Sequence, residues 1–110
     1  MKVFKNILVP LDGSQAGREA LLYALSLAET YQASVWILHV IDLNQYMSSF
    51  EQVSGSGYLP QERILETAEE MQADLIVMGS RGLGALKQML MGSVSQYILV
   101  HAKSPVLVIR

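Results

Sequence analysis

The sequence predicts an α/β domain: an open, twisted parallel sheet of four strands with helices on both faces. Three observations carry that reading. Four short segments are continuously apolar rather than alternating, the pattern of strands covered on both faces. Amphipathic segments of helical period stand between them. Alternating strands and helices call for crossover connections, which parallel neighbours require and which run right-handed.

The first strand is "ILVPL", residues 7–11. It leads into "SQAGREALLYALSLAETYQA", where Ala20, Leu21, Ala24, Leu25, Ala28 and Tyr31 recur at helical spacing and Ser14 is placed to cap the first free amides. The second strand, "SVWILHVI", covers residues 34–41. Residues 42–59, "DLNQYMSSFEQVSGSGYL", follow neither period and read mostly as loop, with room for a short extended piece around 50–53. A second helix starts in "PQERILETAEEMQA", with Pro60 tolerated in its first turn, Ile64, Ala68 and Met71 on one face and glutamates on the other. "DLIVM", residues 74–78, is the third strand, and a glycine-bearing loop follows it. The third helix, "SVSQYILVHAKS", is capped by Ser93, spaces Val94, Ile98 and His101 three and four residues apart, and ends where Pro105 prevents continuation. "PVLVI", residues 105–109, closes the set as the fourth strand.

Residues 1–110 fit a single domain, because one hydrophobic core serves a chain of this length. Apolar residues make up 51% and charged residues 16%, which favours a compact fold over a disordered one. A net charge of -2 and a pI near 5.6 provide no basic field, which argues against nucleic acid and an anionic membrane surface as partners. No apolar run is long enough to cross a bilayer, and "MKVFKNILVPLDG" has too short an apolar segment for a signal peptide, so the expected location is cytoplasmic. With no cysteine and two histidines, thiol chemistry is excluded and a zinc site is disfavoured.

An open parallel sheet binds ligands beyond the carboxyl ends of its strands, where the strand order reverses. Four of the eight glycines fall in "GSRGLGALKQMLMGSVS", residues 79–95, beginning where the third strand ends. A Walker loop fails there, since Ala85 and Leu86 follow Gly84 where Lys and Ser or Thr are needed. A dinucleotide fingerprint starting at Gly82 fails as well, because its last position is Lys87. What remains is Gly79, two residues, Gly82, nine residues, then Gly92 and Ser93 at a helix start. Glycines admit close approach to the backbone, and a helix amino end offers unpaired N–H groups and partial positive charge, which suits a di- or triphosphate. Ser93 and Ser95 add hydroxyl donors. The same residues also serve as a tight strand exit and a helix cap with no ligand at all.

At this point the sequence resembles the universal stress proteins, in their ATP-binding subgroup, whose motif is G-2x-G-9x-G-(S/T). "GSRGLGALKQMLMGS" satisfies every fixed position, and "ILVPLDGS", "LHVID", "ADLIVMGSRG" and "HAKSPVLVIR" match as well. The resemblance covers the chain apart from residues 43–59. It implies a Rossmann-like nucleotide-binding fold of the adenine nucleotide alpha hydrolase-like type. By position it implies that Gly79, Gly82, Gly92 and Ser93 surround the phosphates, with Val94 and Ser95 continuing the cradle. Asp12 would bind the ribose hydroxyls, its alternative role being a cap beside Ser14. Val40 would meet adenine through its backbone, with Pro10 and Met78 as apolar walls or plain core. Arg81 would pair with phosphate or stay an exposed loop arginine. Lys87 reads as a solvated charge. His39, within a buried strand, and His101, near a helix carboxyl end, read as structural.

Members of the family carry another helix and strand between the second strand and the helix that starts at Pro60. The 18 residues 42–59 leave almost no room for both. Four strands, at most a stunted fifth, are therefore expected. The second strand loses its outer neighbour, leaving an edge to be covered by the loop or by a partner. The resemblance implies a homodimer through the last strand.

Two functions follow. The first is a cytoplasmic ATP-binding stress protein acting through nucleotide-dependent conformation or dimerisation, any magnesium being held mainly by phosphates and solvent. Asp12 is the single acidic residue expected near the phosphates, so any hydrolysis is slow. The second is an interaction module of the same fold that uses no nucleotide. An adenylating enzyme would need an S-G-G-x-D-S or H-I-G-H type motif, and neither occurs.

Overall fold

The computed structural model describes residues 4–40, 60–80 and 93–110. Their order is β1 (Asn6–Leu11), α1 (Gln15–Tyr31), β2 (Ser34–His39), α2 (Pro60–Glu70), β3 (Leu75–Gly79), α3 (Ser93–His101) and β4 (Val106–Ile109). Among the described residues the sheet has four strands in the order β2-β1-β3-β4, and every neighbouring pair is parallel. The chain moves outward from β1 to β2 and then returns to the other side of β1. That reversal puts the switch point between the carboxyl ends of β1 and β3. The expected loop 42–59 and extended piece around 50–53 lie outside the described residues.

Side-chain alternation divides the core into two layers. Ile7, Val9, Leu75 and Val77 pack under Ala20, Ala24 and Ala28 of α1, whose small side chains let the helix lie close to the sheet. On the opposite face Leu8, Ile76 and Met78 meet Ile64 and Ala68 of α2 and Ile98 of α3. The ion pair from Lys103 to Glu69, 2.9 Å, joins the turn after α3 to α2. Its hydrogen bond and charge hold the exposed Lys103 ammonium above the ordinary lysine range.

Local signals explain the helix ends. Ser14 caps α1, its hydroxyl accepting the Gly17 N–H at 3.1 Å. At the other end Gln32 adopts a left-handed conformation, φ 56°, and Gln72 does the same after α2, φ 55°. In each case the next residue's amide returns into the helix: Ala33 to the Ala28 carbonyl and Ala73 to the Ala68 carbonyl, both 2.9 Å. Asp74 precedes β3 instead of opening it. Its Oδ2 accepts the Lys5 and Asn6 amides at 2.7 and 2.8 Å, fixing the start of β1.

Several expectations need correction. The strands β1 and β3 are buried as their apolar runs imply, but β2 is not covered on both faces: Trp36 is 50% and Ile37 56% exposed. The reason is coverage: among the described residues the helices centre on β1 and β3, and β2 reaches the two layers only at their margins, through the half-buried Val35 on the α1 side and Leu38 on the other. His39 is accordingly exposed rather than buried. Leu25 and Tyr31 also leave the core, because the buried stripe of α1 runs through Gly17, Ala20, Ala24 and Ala28. The helix α3 begins at Ser93 itself, one position earlier than a cap at that residue would place it.

Candidate functional site

At the carboxyl end of β1 the chain turns through Asp12, Gly13 and Ser14 into α1. The turn needs a glycine at its centre, since Gly13 has φ 88°. Asp12 Oδ1 accepts the Ser14 N–H at 2.9 Å, the local capping role that its position allows. A carboxylate has acceptor sites beyond that one.

The neighbouring strand ends on Gly79. A Cβ there would sit 2.7 Å from both the carbonyl carbon and the Cβ of Ala16, and 2.9 Å from the Gly17 nitrogen. The missing side chain therefore makes room for protein: the first turn of α1 rests on the last residue of β3. That contact holds the amino end of α1 at the switch point.

Beyond Gly79, the Ser80 N–H donates to the Ile109 carbonyl at 2.8 Å, and the residue is buried. Ser95, in the first turn of α3 and 2% exposed, donates its hydroxyl to the Ser80 carbonyl at 3.0 Å. The two ends of the glycine motif are thus joined, and the amino end of α3 lies at the exit of β3. Arg81, Gly82 and Gly92, together with Lys87, lie outside the described residues. Ser93 is the first residue of α3. Val94 packs its side chain into the layer of Leu8 and Ile98, so any contribution it makes to a ligand comes from its backbone.

Met78 is buried and Val40 half-buried in that same layer. Pro10, two residues beyond Leu8 on β1 and also buried, shares its face. Pro10, Met78 and Val40 thus lie on one face of three adjacent strands, at their carboxyl ends. The Val40 N–H donates to the Leu11 carbonyl at 2.6 Å.

The histidines stand apart from this end. His101 is exposed, stacks on Tyr97 with ring centroids 4.0 Å apart, and sets its Nδ1 3.0 Å from the Tyr97 carbonyl. Sequence reading missed Ser80, which sits at a variable position of the motif, and Ala16, whose role appears only when helix and strand are docked. The small pair Ala16 and Gly17 in the first helical turn was the available signal.

Comparison with known proteins places this arrangement. The family model described as "Universal stress protein family" matches residues 4–59 and 51–110, two stretches that overlap in the middle of the chain. A universal stress protein of Methanocaldococcus jannaschii is 30% identical over 141 positions, spanning 98% of this chain and 83% of the relative. An alignment of 141 positions against 110 residues leaves at least 31 positions, 141 less 110, without a counterpart here. The solved structure of UspA from Lactobacillus plantarum is similar with a TM-score of 0.83, at 25% identity and over 100% of both chains. Two more distant neighbours share the fold: a universal stress protein in complex with cAMP, at 22% identity, 99% of this chain, 98% of that one and TM-score 0.73. The other, from Archaeoglobus fulgidus in complex with dAMP, has 19% identity, 99% and 100% coverage and TM-score 0.71. With the family model matching both halves and the parallel sheet reproduced, the chain belongs to the universal stress protein family.

Proposed function

We propose that the protein is a cytoplasmic, nucleotide-binding universal stress protein that holds ATP at the carboxyl ends of β1, β2 and β3 and acts through nucleotide-dependent conformation or dimerisation. The observation that carries the reading is the Ser95 to Ser80 hydrogen bond. It sets the amino end of α3 at the exit of β3, where an anion is favoured. The Ser95 proton is spent on Ser80 in this arrangement, so phosphate contacts come from the Gly92–Ser93 backbone and Arg81 rather than from the Ser95 hydroxyl. Asp12 faces the ribose, and Pro10 and Met78 wall the adenine. Since the Val40 N–H is engaged with Leu11, a backbone contact from Val40 to the base runs through its carbonyl.

The nucleotides held by structural relatives support an adenine nucleotide as ligand class. Magnesium accompanying ATP would draw its ligands chiefly from phosphates and water. Among the described residues, no group of three His, Asp or Glu gathers to hold it. None of the described helices is long and apolar enough to cross a membrane. Homodimerisation through β4, an edge of the described sheet, completes the proposal.

The exposure of Trp36 and Ile37 favours a second reading, an interaction module that keeps the fold without nucleotide. Denaturing the freshly purified protein and chromatographing the supernatant separates them. Release of stoichiometric adenine nucleotide supports the first; a nucleotide-free supernatant from protein that also fails to take up added ATP supports the second.

A further inference from the structure

Among the described residues β2 is the outermost strand on its side of the sheet. The Ser34 N–H donates to the Lys5 carbonyl and the Val40 N–H to the Leu11 carbonyl, at 2.8 and 2.6 Å. In a parallel pair alternate residues serve the neighbour, so the even-numbered residues of β2 spend their backbone groups on β1. Val35, Ile37 and His39 turn theirs outward. The strand, "SVWILH", carries no Lys, Arg, Asp or Glu and no proline, the devices that normally protect an edge. Its exposed apolar side chains, Trp36 and Ile37, stand on opposite faces.

We infer that β2 pairs antiparallel with β2 of a second copy of this chain, Ile37 facing Ile37 of the partner subunit across a two-fold axis perpendicular to the sheet. Backbone hydrogen bonding selects the register. Centring on Ile37 sets Val35 against His39 of the partner subunit, Ile37 against its own copy, and His39 against Val35 of the partner subunit. These are three hydrogen-bonded pairs, each exchanging two bonds. Centring on Trp36 or Leu38 closes fewer, and centring on Val35 or His39 runs off the strand. The chosen register also sets Trp36 across from Leu38 of the partner subunit, an aromatic–aliphatic pair on one face.

Self-pairing suits this strand because no like charges meet across the axis. It is also longer than the other described edge, β4, with six residues against four. Among the described residues no strand lies beyond it on that side. One ladder buries less than the ~1,200 Å² typical of stable complexes, so the dimer dissociates on dilution. The inference does not depend on nucleotide binding.

The chain has no cysteine, so Ile37→Cys introduces a single thiol. In a hydrogen-bonded antiparallel pair the Cα atoms are about 5.5 Å apart, within disulfide reach. Oxidation of Ile37→Cys should give a covalent dimer in high yield, and Val35→Cys, which faces His39 of the partner subunit, several-fold less. Ile37→Lys opposes two ammonium groups at the axis and should weaken association at least tenfold by concentration-dependent sizing. The exposed position keeps the circular dichroism unchanged. Val108→Cys reports separately on β4; cross-linking there as well means that both edges extend the sheet, and Ile37→Lys then reduces a larger assembly to the β4 dimer. If Ile37→Cys stays monomeric on oxidation and Ile37→Lys leaves the mass unchanged, the inference is overturned, whether residues 41–59 or solvent cover the edge.

Discussion

Ser95 donates its hydroxyl to the Ser80 carbonyl across 3.0 Å, and both residues are buried. This contact joins a helix start to a strand exit 15 positions earlier, so it closes the glycine motif on itself. Ser95→Ala removes the donor and leaves a buried carbonyl short of a partner, at a cost of about 1 to 3 kcal/mol. Urea unfolding should show a lower midpoint with an unchanged slope. An unchanged midpoint would mean that the bond is not made in solution.

Gly79→Ala should destabilise the protein without any nucleotide present. The added methyl would lie 2.7 Å from the Ala16 carbonyl carbon, and that backbone belongs to a capped helix. The helix α1 must therefore shift, with an overpacking cost of about 1 to 3 kcal/mol. A melting curve of the ligand-free variant decides it: an undiminished Tm would show that Gly79 does not make room for Ala16.

Gln32→Gly should stabilise. A left-handed conformation costs a side-chain-bearing residue roughly 1 to 2 kcal/mol, and glycine returns part of that through its greater unfolded-state entropy. A net gain of about 0.5 to 1 kcal/mol in chemical denaturation is expected. Gln72→Gly, in the same conformation after α2, should behave alike.

Asp74→Ala removes the acceptor of two backbone amides, those of Lys5 and Asn6. Hydrogen bonds to a charged acceptor are worth about 1.5 to 3 kcal/mol, so a loss near the upper end is expected. Amide exchange at Asn6 should accelerate more than at Ile76 in the centre of β3. Equal acceleration at both sites would indicate global destabilisation instead of release of the β1 start.

The sequence made the strand and helix order legible because β1 and β3 are short, continuously apolar and separated by helical periods. Ser14 was legible as a cap for the same local reason. Coverage was not local: "SVWILH" reads like "LIVMG", yet among the described residues only the latter lies fully between two helix layers, and Trp36, Ile37 and His39 are exposed. The endings at Gln32 and Gln72 carried no glycine or asparagine to announce a left-handed residue. In the candidate site, the spacing of Gly79 marked it as special, but its neighbour Ala16 emerges only from the docking of α1 on β3. Asp12 showed its capping role in both views, whereas Ser95, legible only as a hydroxyl donor, faces protein.

The central claim is that the closed end of the motif receives a nucleotide, and calorimetric titration of ATP with magnesium, paired with thermal melting, tests it most directly. Ligand at a hundred times its Kd should stabilise the protein by about 2.7 kcal/mol. Gly92→Phe, placed at the motif position before Ser93, should abolish both the heat of binding and the shift while leaving the unliganded Tm near its original value. Binding retained in Gly92→Phe would put the phosphates elsewhere. No heat and no shift at millimolar ATP in the unaltered protein would contradict the claim outright.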